Sequence, residues 1–441
     1  MTVSKKDDFY GSVNDEWIEQ AVIRDDSPRA GGFTDLSFDI EEELLSDTKD
    51  FANGTKPTPT YLQNFVDLFK QSMDEEARSK SLKDIQAGLD SINELKDWQD
   101  FENFATHLFY SNFASGLPFS ISEDWLDTSK WMFTFDGLSL ILPDKTYYDD
   151  PSSQQLLDIW KDQTVKLLSQ LSYSEQEVQT IVDDALTFDK NLSQYVLSSE
   201  EMAEYFKLYH PVAFDEFAAD FKTFDLKKIA VQVLDGTTPD KVVYFDNRFY
   251  ENLNNVYQAD NFVQYKNWLI AQSASLIGLT SEENREIAGT FGRTLSGQPS
   301  SANQDLWAFR EADNKFGFLI GEYYRLQHFS PEAKANVEQM IQKMIAVFRE
   351  RLEKNDWLSE ATITEAIKKL DAIVYKIGYP DQIPARYLSY KVDLNESLFE
   401  NLSAIDTAEK RFYFGRYLKP TDRSEWSMSA DTVNAYYNPS S

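Results

Sequence analysis

The most regular pattern along the chain is an apolar stripe of helical period that starts after residue 330. Ser330 is suited to the N-cap position and Pro331 to the first helical position, so a helix is predicted to begin there. The apolar residues that follow recur at mostly three- or four-residue spacing and share one helix face. They are Val337, Met340, Ile341, Met344, Phe348 and Leu352.

A second stripe begins after Ser359 and predicts a partner helix. Its apolar members are Ile363, Ala366, Ile367, Leu370, Ile373, Val374 and Ile377. Gly378 and Pro380 then end the helical pattern. Because only a short turn containing Trp357 joins the two segments, we predict an antiparallel helical hairpin. Its stripes should pack against each other and against the domain core, with Trp357 wedged at the turn.

Helical periodicity also dominates the earlier part of the chain, and strand patterns are few. Further helices are predicted within residues 60–80, 84–110 and 174–197. Strands are predicted at residues 130–135, 241–245 and 433–437. The sequence therefore predicts a mainly α fold with a large multi-helix domain and few short strands. The last of these strands cannot satisfy its own backbone groups, so it must belong to a sheet.

The charge balance excludes several classes of partner. The 441 residues include 43 Lys and Arg against 74 Asp and Glu, for a formal net charge of −31. Nucleic acid and anionic membrane surfaces both need a basic footprint, so neither is expected as a partner. The absence of cysteine excludes disulfides, thiolate metal sites and cysteine nucleophiles. With no apolar run of about 18 residues, a cytoplasmic protein is expected.

Residue types alone reveal no catalytic centre. The three histidines, His107, His210 and His328, are too far apart in sequence to show metal-ligand spacing. Glycine-rich nucleotide loops and the serine nucleophile elbow do not occur. Adjacent acidic pairs such as Asp149 and Asp150 are expected by chance in so acidic a chain. Aromatic residues, 14% of the chain, could line a sugar or peptide cleft but are mostly explained by core packing.

Several longer stretches, in order along the whole chain, carry a more specific signal. They are "DDFYGSVNDEWI" at 7–18, "SPRAGGF" at 27–33, "MDEEA" at 73–77, "LPDKTYY" at 142–148, "DWLSEATITEAIKKLDAIVYKIGYPDQI" at 356–383 and "WSMSADTVNAYYNP" at 426–439. Together they resemble the neprilysin family of zinc metallopeptidases, whose bacterial members include endopeptidase O.

The resemblance implies a helical domain followed by a thermolysin-like domain that carries an HExxH motif. In such a motif two histidines four residues apart bind zinc, and the intervening glutamate activates the zinc-bound water. No two histidines of this sequence have that spacing. We therefore expect an amino-terminal portion that ends before the zinc site, binds no zinc and is inactive alone. Zinc would be the cofactor of the intact enzyme, peptides its substrates and the catalytic zinc domain the partner of this chain.

The resemblance also assigns substrate-binding residues, and no catalytic or metal residues, to this chain. The family's substrate-binding Asn and Ala correspond to Asn434 and Ala435 on the closing strand. An edge strand can add a peptide by main-chain hydrogen bonds, and an amide side chain both donates and accepts. Arg29 corresponds to an arginine that contacts the carboxyl terminus of the substrate. Ser37 stands where the mammalian pattern has a second arginine, which predicts weaker anchoring of that carboxylate.

The expected organisation has three parts. Residues 1–40 form an arm that packs on the catalytic lobe, residues 41–400 form the helical domain, and residues 401–441 form a linker with the first strand of the catalytic domain. The leading hypothesis is the substrate-enclosing part of a zinc endopeptidase that hydrolyses oligopeptides. A non-catalytic peptide-binding or interaction module is the alternative. An unrelated acidic hydrolase that uses two carboxylates is a weaker third hypothesis.

Overall fold

The computed structural model describes residues 4–438, and α-helices dominate it. The helices are α1 (Phe9–Gln20), α2 (Gly32–Asn53), α3 (Gln63–Met73), α4 (Glu75–Asn93), α5 (Trp98–Tyr110), α6 (Gln154–Leu168), α7 (Glu175–Leu192), α8 (Ser199–Met202), α9 (Phe214–Asp220), α10 (Leu226–Val233), α11 (Asn247–Glu251), α12 (Leu253–Val256), α13 (Phe262–Ser273), α14 (Glu282–Ala288), α15 (Thr290–Ser296), α16 (Gln304–His328), α17 (Pro331–Glu353), α18 (Glu360–Asp371), α19 (Ala385–Ser389) and α20 (Leu398–Phe414). The strands are β1 (Phe119–Asp124), β2 (Asp127–Phe135), β3 (His210–Ala213) and β4 (Lys241–Tyr244). The mainly α fold class is therefore confirmed.

Helix starts follow the polar residues that precede them. The Asp74 carboxylate accepts hydrogen bonds from the backbone N–H groups of Glu76 and Ala77, and this cap separates α3 from α4. Ser174 forms a reciprocal capping box with Glu177 at the start of α7. Ser330 accepts from the Ala333 N–H at 3.1 Å, as its position before Pro331 predicts.

The four strands form one small sheet in the order β1, β2, β4, β3. β1 and β2 are antiparallel, as are β3 and β4, and β2 meets β4 in parallel through the Thr134–Val243 pair. The strands predicted at residues 130–135 and 241–245 are confirmed as parts of β2 and β4. β1 and β3 were not predicted, because the alternation of apolar and polar residues in β1 covers only residues 119–122, and β3 has four residues, one of them Pro211.

Two clusters of buried side chains form the core. The larger surrounds Trp98, whose ring lies 4.7 Å from that of Tyr265 and 5.0 Å from that of Phe262, between centroids. The smaller lies between α2, α3, α16 and α20, where Phe65 and Phe309 meet edge to face at 5.9 Å. α20 contributes residues to both clusters, so it ties the two together.

A fully buried arginine lies where the two clusters meet. Arg78 of α4 donates from Nε to the Leu279 carbonyl at 3.0 Å, and its guanidinium lies 4.4 Å from the ring centroid of Trp307 on α16. Glu282 supplies the counter-charge at 3.4 Å. A planar guanidinium can make all these contacts at once, whereas a lysine ammonium cannot.

The predicted hairpin differs from the structure in its packing and in the length of its second helix. No residue of α17 is buried, and Met340, Met344 and Phe348 each expose half or more of their surface. Trp357 is 78% exposed rather than wedged at the turn. α18 ends at Asp371, and residues 373–377 form neither helix nor strand. The β-branched and aromatic run Ile-Val-Tyr disfavours a further helical turn.

The closing segment also differs from its prediction as a strand. Residues 433–438 form no strand in the part of the chain that the structure describes, and Asn434, Ala435, Tyr436 and Tyr437 are exposed. A strand is maintained by a hydrogen-bonded neighbour, and none is paired with these residues here. Pro439 of the predicted segment lies outside the described residues. Of the helices between residues 4 and 438, none is long and apolar enough to cross a bilayer.

Candidate functional site

A cleft of about 600 Å³ opens between the exposed face of the hairpin and the end of the described chain. We call it the hairpin cleft. It is lined by Thr128, Val337, Ile341, Lys369, the residues 372–378, Arg423, Trp426, Ser427, Met428 and the residues 434–438. The apolar stripe of α17 therefore contributes Val337 and Ile341 to a cleft wall instead of to the core.

One wall of the hairpin cleft is the stretch 373–377, which forms neither helix nor strand. Within the described residues, the backbone N–H groups of Val374, Tyr375 and Lys376 have no backbone partner. The Lys376 ammonium is bonded to the Glu425 carbonyl, and this bond joins the two walls. An extended stretch with unpaired backbone groups can accept another strand.

The opposite wall carries Asn434 and Ala435, so the structure brings both predicted substrate-binding residues into the cleft. The Asn434 N–H donates to the Thr432 carbonyl at 3.1 Å. The Asn434 Oδ1 accepts from the Ala435 N–H at 2.8 Å. Its Nδ2 has no hydrogen-bond partner between residues 4 and 438, so this amide remains able to donate to a bound carbonyl. Tyr436 beside them is held by a hydroxyl contact with Ser427.

A second depression, of about 660 Å³, continues from the hairpin cleft and shares Trp426 and the stretch 374–377 with it. Its lining includes three cations, on Arg325, Lys334 and Lys376, and two carboxylates. The Lys334 ammonium donates to the Tyr379 carbonyl at 2.8 Å and lies 5.8 Å from the Trp426 ring centroid. Arg325 is paired with Glu322 at 2.6 Å and Lys334 with Asp381 at 3.3 Å, so these charges are balanced locally.

Arg29 is not among the residues that line either depression. It is exposed in the loop between α1 and α2, where the Ser27 hydroxyl donates to the Arg29 carbonyl at 2.8 Å. Ser37 lies on α2 and its hydroxyl donates to the Phe33 carbonyl. The structure thus does not bring Arg29 and Asn434 together in either depression.

The histidines do not converge on a metal site. His107 lies against the Phe104 ring, His210 stacks on Tyr244 in the sheet, and His328 is bonded to Glu43 at 2.8 Å. No group of three His, Cys, Asp or Glu side chains that could hold a metal ion occurs within residues 4–438. These residues do not fit a catalytic zinc site, which needs such a set.

The wall at 373–377 was not predicted, because the apolar stripe extends the second predicted helix to Ile377. Neighbouring residues in the sequence nevertheless favour an end to the helix before that point. The run Ile373-Val374-Tyr375 favours an extended backbone, and it comes immediately before a glycine with positive φ at Gly378.

The sequence matches peptidase family M13 over residues 5–380. The chain belongs to peptidase family M13. A Streptococcus gordonii relative, named as a zinc metalloproteinase, is 36% identical over 439 residues, which are 98% of this chain and 78% of the relative. The neutral endopeptidase of Lactococcus lactis is 34% identical over 443 residues, 99% of this chain and 70% of that enzyme. The resemblance to neprilysin-type zinc metalloendopeptidases is therefore confirmed.

Solved structures of the M13 type share the fold. The crystal structure of PepO from Lactobacillus rhamnosis superposes with a TM-score of 0.88 at 25% identity, covering 99% of this chain and 70% of PepO. The Mycobacterium tuberculosis zinc metalloprotease ZMP1, solved in complex with an inhibitor, gives a TM-score of 0.87 at 20% identity, covering 99% of this chain and 66% of ZMP1. The second comparison supports the fold alone.

Proposed function

We propose that this chain forms the helical, substrate-enclosing part of an M13 zinc endopeptidase and that the main chain of an oligopeptide binds in the hairpin cleft. The observation that carries the proposal is that two stretches with neither helix nor strand structure, 373–377 and 434–437, line one cleft. Each has backbone groups without strand partners among the described residues, such as the N–H groups of Tyr375 and Tyr436, and a peptide could satisfy them by strand addition.

Asn434 has the central role in this proposal. Its free Nδ2 would donate to a carbonyl of the peptide, and rotation of the amide would release Oδ1 from the Ala435 N–H. Both groups could then bind the peptide backbone, as Asn and Ala are expected to do from the family resemblance. The exposed Tyr436 and Tyr437 rings would cover neighbouring side chains of the peptide.

The zinc chemistry of the family would come from residues outside these 441. The sequence has no HExxH motif, and this chain covers only 70–78% of the length of the relatives named above. In this proposal the catalytic zinc domain is the partner that closes the cleft. Closure would limit the size of the peptides that enter and the access of water. A non-catalytic peptide-binding module remains the alternative, and it would use the same cleft. A cytoplasmic location and the three-part domain division remain predictions from the sequence.

Arg29 would act only when the partner domain is present. Because it does not line the hairpin cleft, we propose that it contacts the carboxyl end of a peptide that extends beyond this cleft. Arg29→Ala should therefore affect peptides with a free carboxylate more than their C-terminal amides.

The proposal is tested by binding a fluorescent oligopeptide to the purified chain. Asn434→Ala should weaken binding by about 5- to 150-fold, the equivalent of roughly 1–3 kcal/mol for hydrogen-bonding groups left unsatisfied. Asn191→Ala, at an exposed position of α7 away from the cleft, is the matched control and should leave binding unchanged. Equal affinities of the Asn434→Ala variant and the unchanged chain would show that the closing segment does not bind the peptide.

A further inference from the structure

α16 has glycines at positions 317 and 321 on the face that the backbone of residues 429–431 approaches closely. A Cβ placed on Gly321 would lie 2.7 Å from Asp431 Oδ1 and 2.9 Å from the Ala430 nitrogen. A Cβ on Gly317 would lie 3.4 Å from Asp313 Oδ1 and 3.7 Å from the Ser429 hydroxyl. The segment that leads into Asn434 is therefore seated directly on α16, where a larger side chain would exclude it.

Two carboxyl groups are enclosed at this contact, one from each side. The Oδ1 atoms of Asp313 on α16 and Asp431 in the seated segment are both buried, and neither has a hydrogen-bond partner among the described residues. We call Asp313 and Asp431 the carboxyl pair. An ionised carboxylate oxygen that is buried without a donor loses its hydration without compensation, so two charges at this contact would oppose the seating.

The neighbouring charges do not neutralise the carboxyl pair, because they are paired with one another. Glu41 and Glu43 of α2 face this part of α16, with Arg310, Tyr324 and His328 of α16 itself. Arg310 is held by Glu41 in a two-point ion pair with contacts of 2.6 and 2.7 Å. His328 is held by Glu43 at 2.8 Å. No ion pair reaches either member of the carboxyl pair within residues 4–438.

Burial and mutual repulsion both favour a protonated carboxyl here. Burial, followed by the charges of Asp431 and Glu41, raises the pKa of Asp313 to about 8. Burial also raises the pKa of Asp431, against a hydrogen bond from Ser429 that lowers it. A group whose pKa is higher in the folded state than in the unfolded state stabilises the folded state at pH values below its unfolded-state pKa. This stability is lost as the pH rises through the folded-state pKa.

We propose that the carboxyl pair carries one proton at neutral pH and that this proton keeps residues 429–438 seated on α16. Asp313 and Asp431 are then positioning residues: they act on a peptide only by placing Asn434 at the cleft wall. Loss of the proton in mildly alkaline solution would leave two enclosed charges and release the segment. The seating does not depend on the proposed peptide-binding function, whereas its effect on peptide binding rests on that proposal.

Hydrogen exchange of the full chain, followed by mass spectrometry from pH 6 to pH 9, tests this inference. Rates for residues 429–438 are divided by the intrinsic chemical rate at each pH, so that only protection is compared. In the unchanged chain, protection should be constant near pH 6 and fall by up to about tenfold per pH unit above about pH 8. Asp313→Asn, which is similar in size and cannot ionise, should remove this fall.

The matched control is Glu311→Gln, another removal of a part-buried carboxyl from α16. Glu311 is influenced by Lys315 and Asp406 rather than by Asp431, so its variant should keep the pH-dependent fall of the unchanged chain. Asp431→Asn provides a second test if Asp313→Asn folds poorly. Constant protection of the unchanged chain up to pH 9 would overturn the inference without any variant. An undiminished fall in Asp313→Asn would also overturn it. Neither result depends on whether Asn434 binds a peptide.

Discussion

At the residue scale, Gly378 shows how one position can be required for two separate reasons. Its φ is +71°, a left-handed conformation that favours glycine. It also packs against Phe329, and an added Cβ would lie 1.8 Å from the ring atom Cε1. The sequence predicted this glycine as the end of a helix. In the structure it directly follows the stretch 373–377 that lines the hairpin cleft.

Gly378→Ala should lower the free energy of unfolding by roughly 2–5 kcal/mol. About 1–2 kcal/mol comes from the left-handed backbone, and about 1–3 kcal/mol comes from overpacking against Phe329. Gly54→Ala is the control, because Gly54 has a φ of +73° with nothing within 4 Å of an added Cβ. Urea unfolding should show the larger loss for Gly378→Ala. Equal losses would mean that the Phe329 ring moves aside at no cost.

The sequence predicted the position of some site residues better than that of others. Asn434 and Ala435 were identified by resemblance, and the structure places them together on a cleft wall. The cleft itself could not be predicted, because it depends on α18 ending at Asp371 and on α17 remaining exposed. Arg29 lies elsewhere on the surface, and its role stays a prediction. Resemblance can assign a residue to a site, but only tertiary structure shows which residues face it.

At the scale of the elements, α17 shows that an apolar stripe identifies a helix but not its neighbour. The cap at Ser330 and the three- and four-residue spacing predicted a helix here, and α17 is observed. The expected burial does not follow, because periodicity states only that one face is apolar. Elements of four residues such as β3, which contains Pro211, give too few positions for a pattern to be detected.

Substitutions in the hairpin should distinguish its one buried position from its exposed stripe. Leu370 on α18 is 3% exposed, so Leu370→Ala should cost roughly 2–5 kcal/mol of unfolding free energy. Met344 on α17 is 65% exposed, so Met344→Ala should change that free energy by less than about 0.5 kcal/mol. Denaturant melts of both variants provide the measurement. A loss above about 1 kcal/mol for Met344→Ala would mean that the α17 stripe is covered in solution.

At the scale of the whole molecule, a net charge of −31 opposes the compact state through self-repulsion. Ion pairs such as Arg310–Glu41 and Lys241–Asp124 offset this locally, but the excess of acidic side chains remains. The two core clusters and the buried Arg78 between them must hold the fold together against that repulsion.

Added salt should therefore stabilise the chain. Raising NaCl from about 10 to about 150 mM shortens the screening length from about 30 to about 8 Å, so repulsion between distant carboxylates weakens. We expect Tm to rise by a few degrees in calorimetry at neutral pH. KCl at the same concentration should act alike, because screening depends on ionic strength rather than on the cation. A fall in Tm would show that the surface ion pairs contribute more stability than the excess charge removes.

The sheet order described above also implies a sequence of events during folding. β1 and β2 adjoin through a tight turn at Trp125 and Leu126, so their pairing closes only a short loop. The Thr134–Val243 pair joins positions about a hundred residues apart, and closing so long a loop carries a larger entropic cost. The β1–β2 hairpin should therefore acquire its ladder before β4 joins it. A nascent chain would expose the β2 edge until the helices between β2 and β4 have been synthesised.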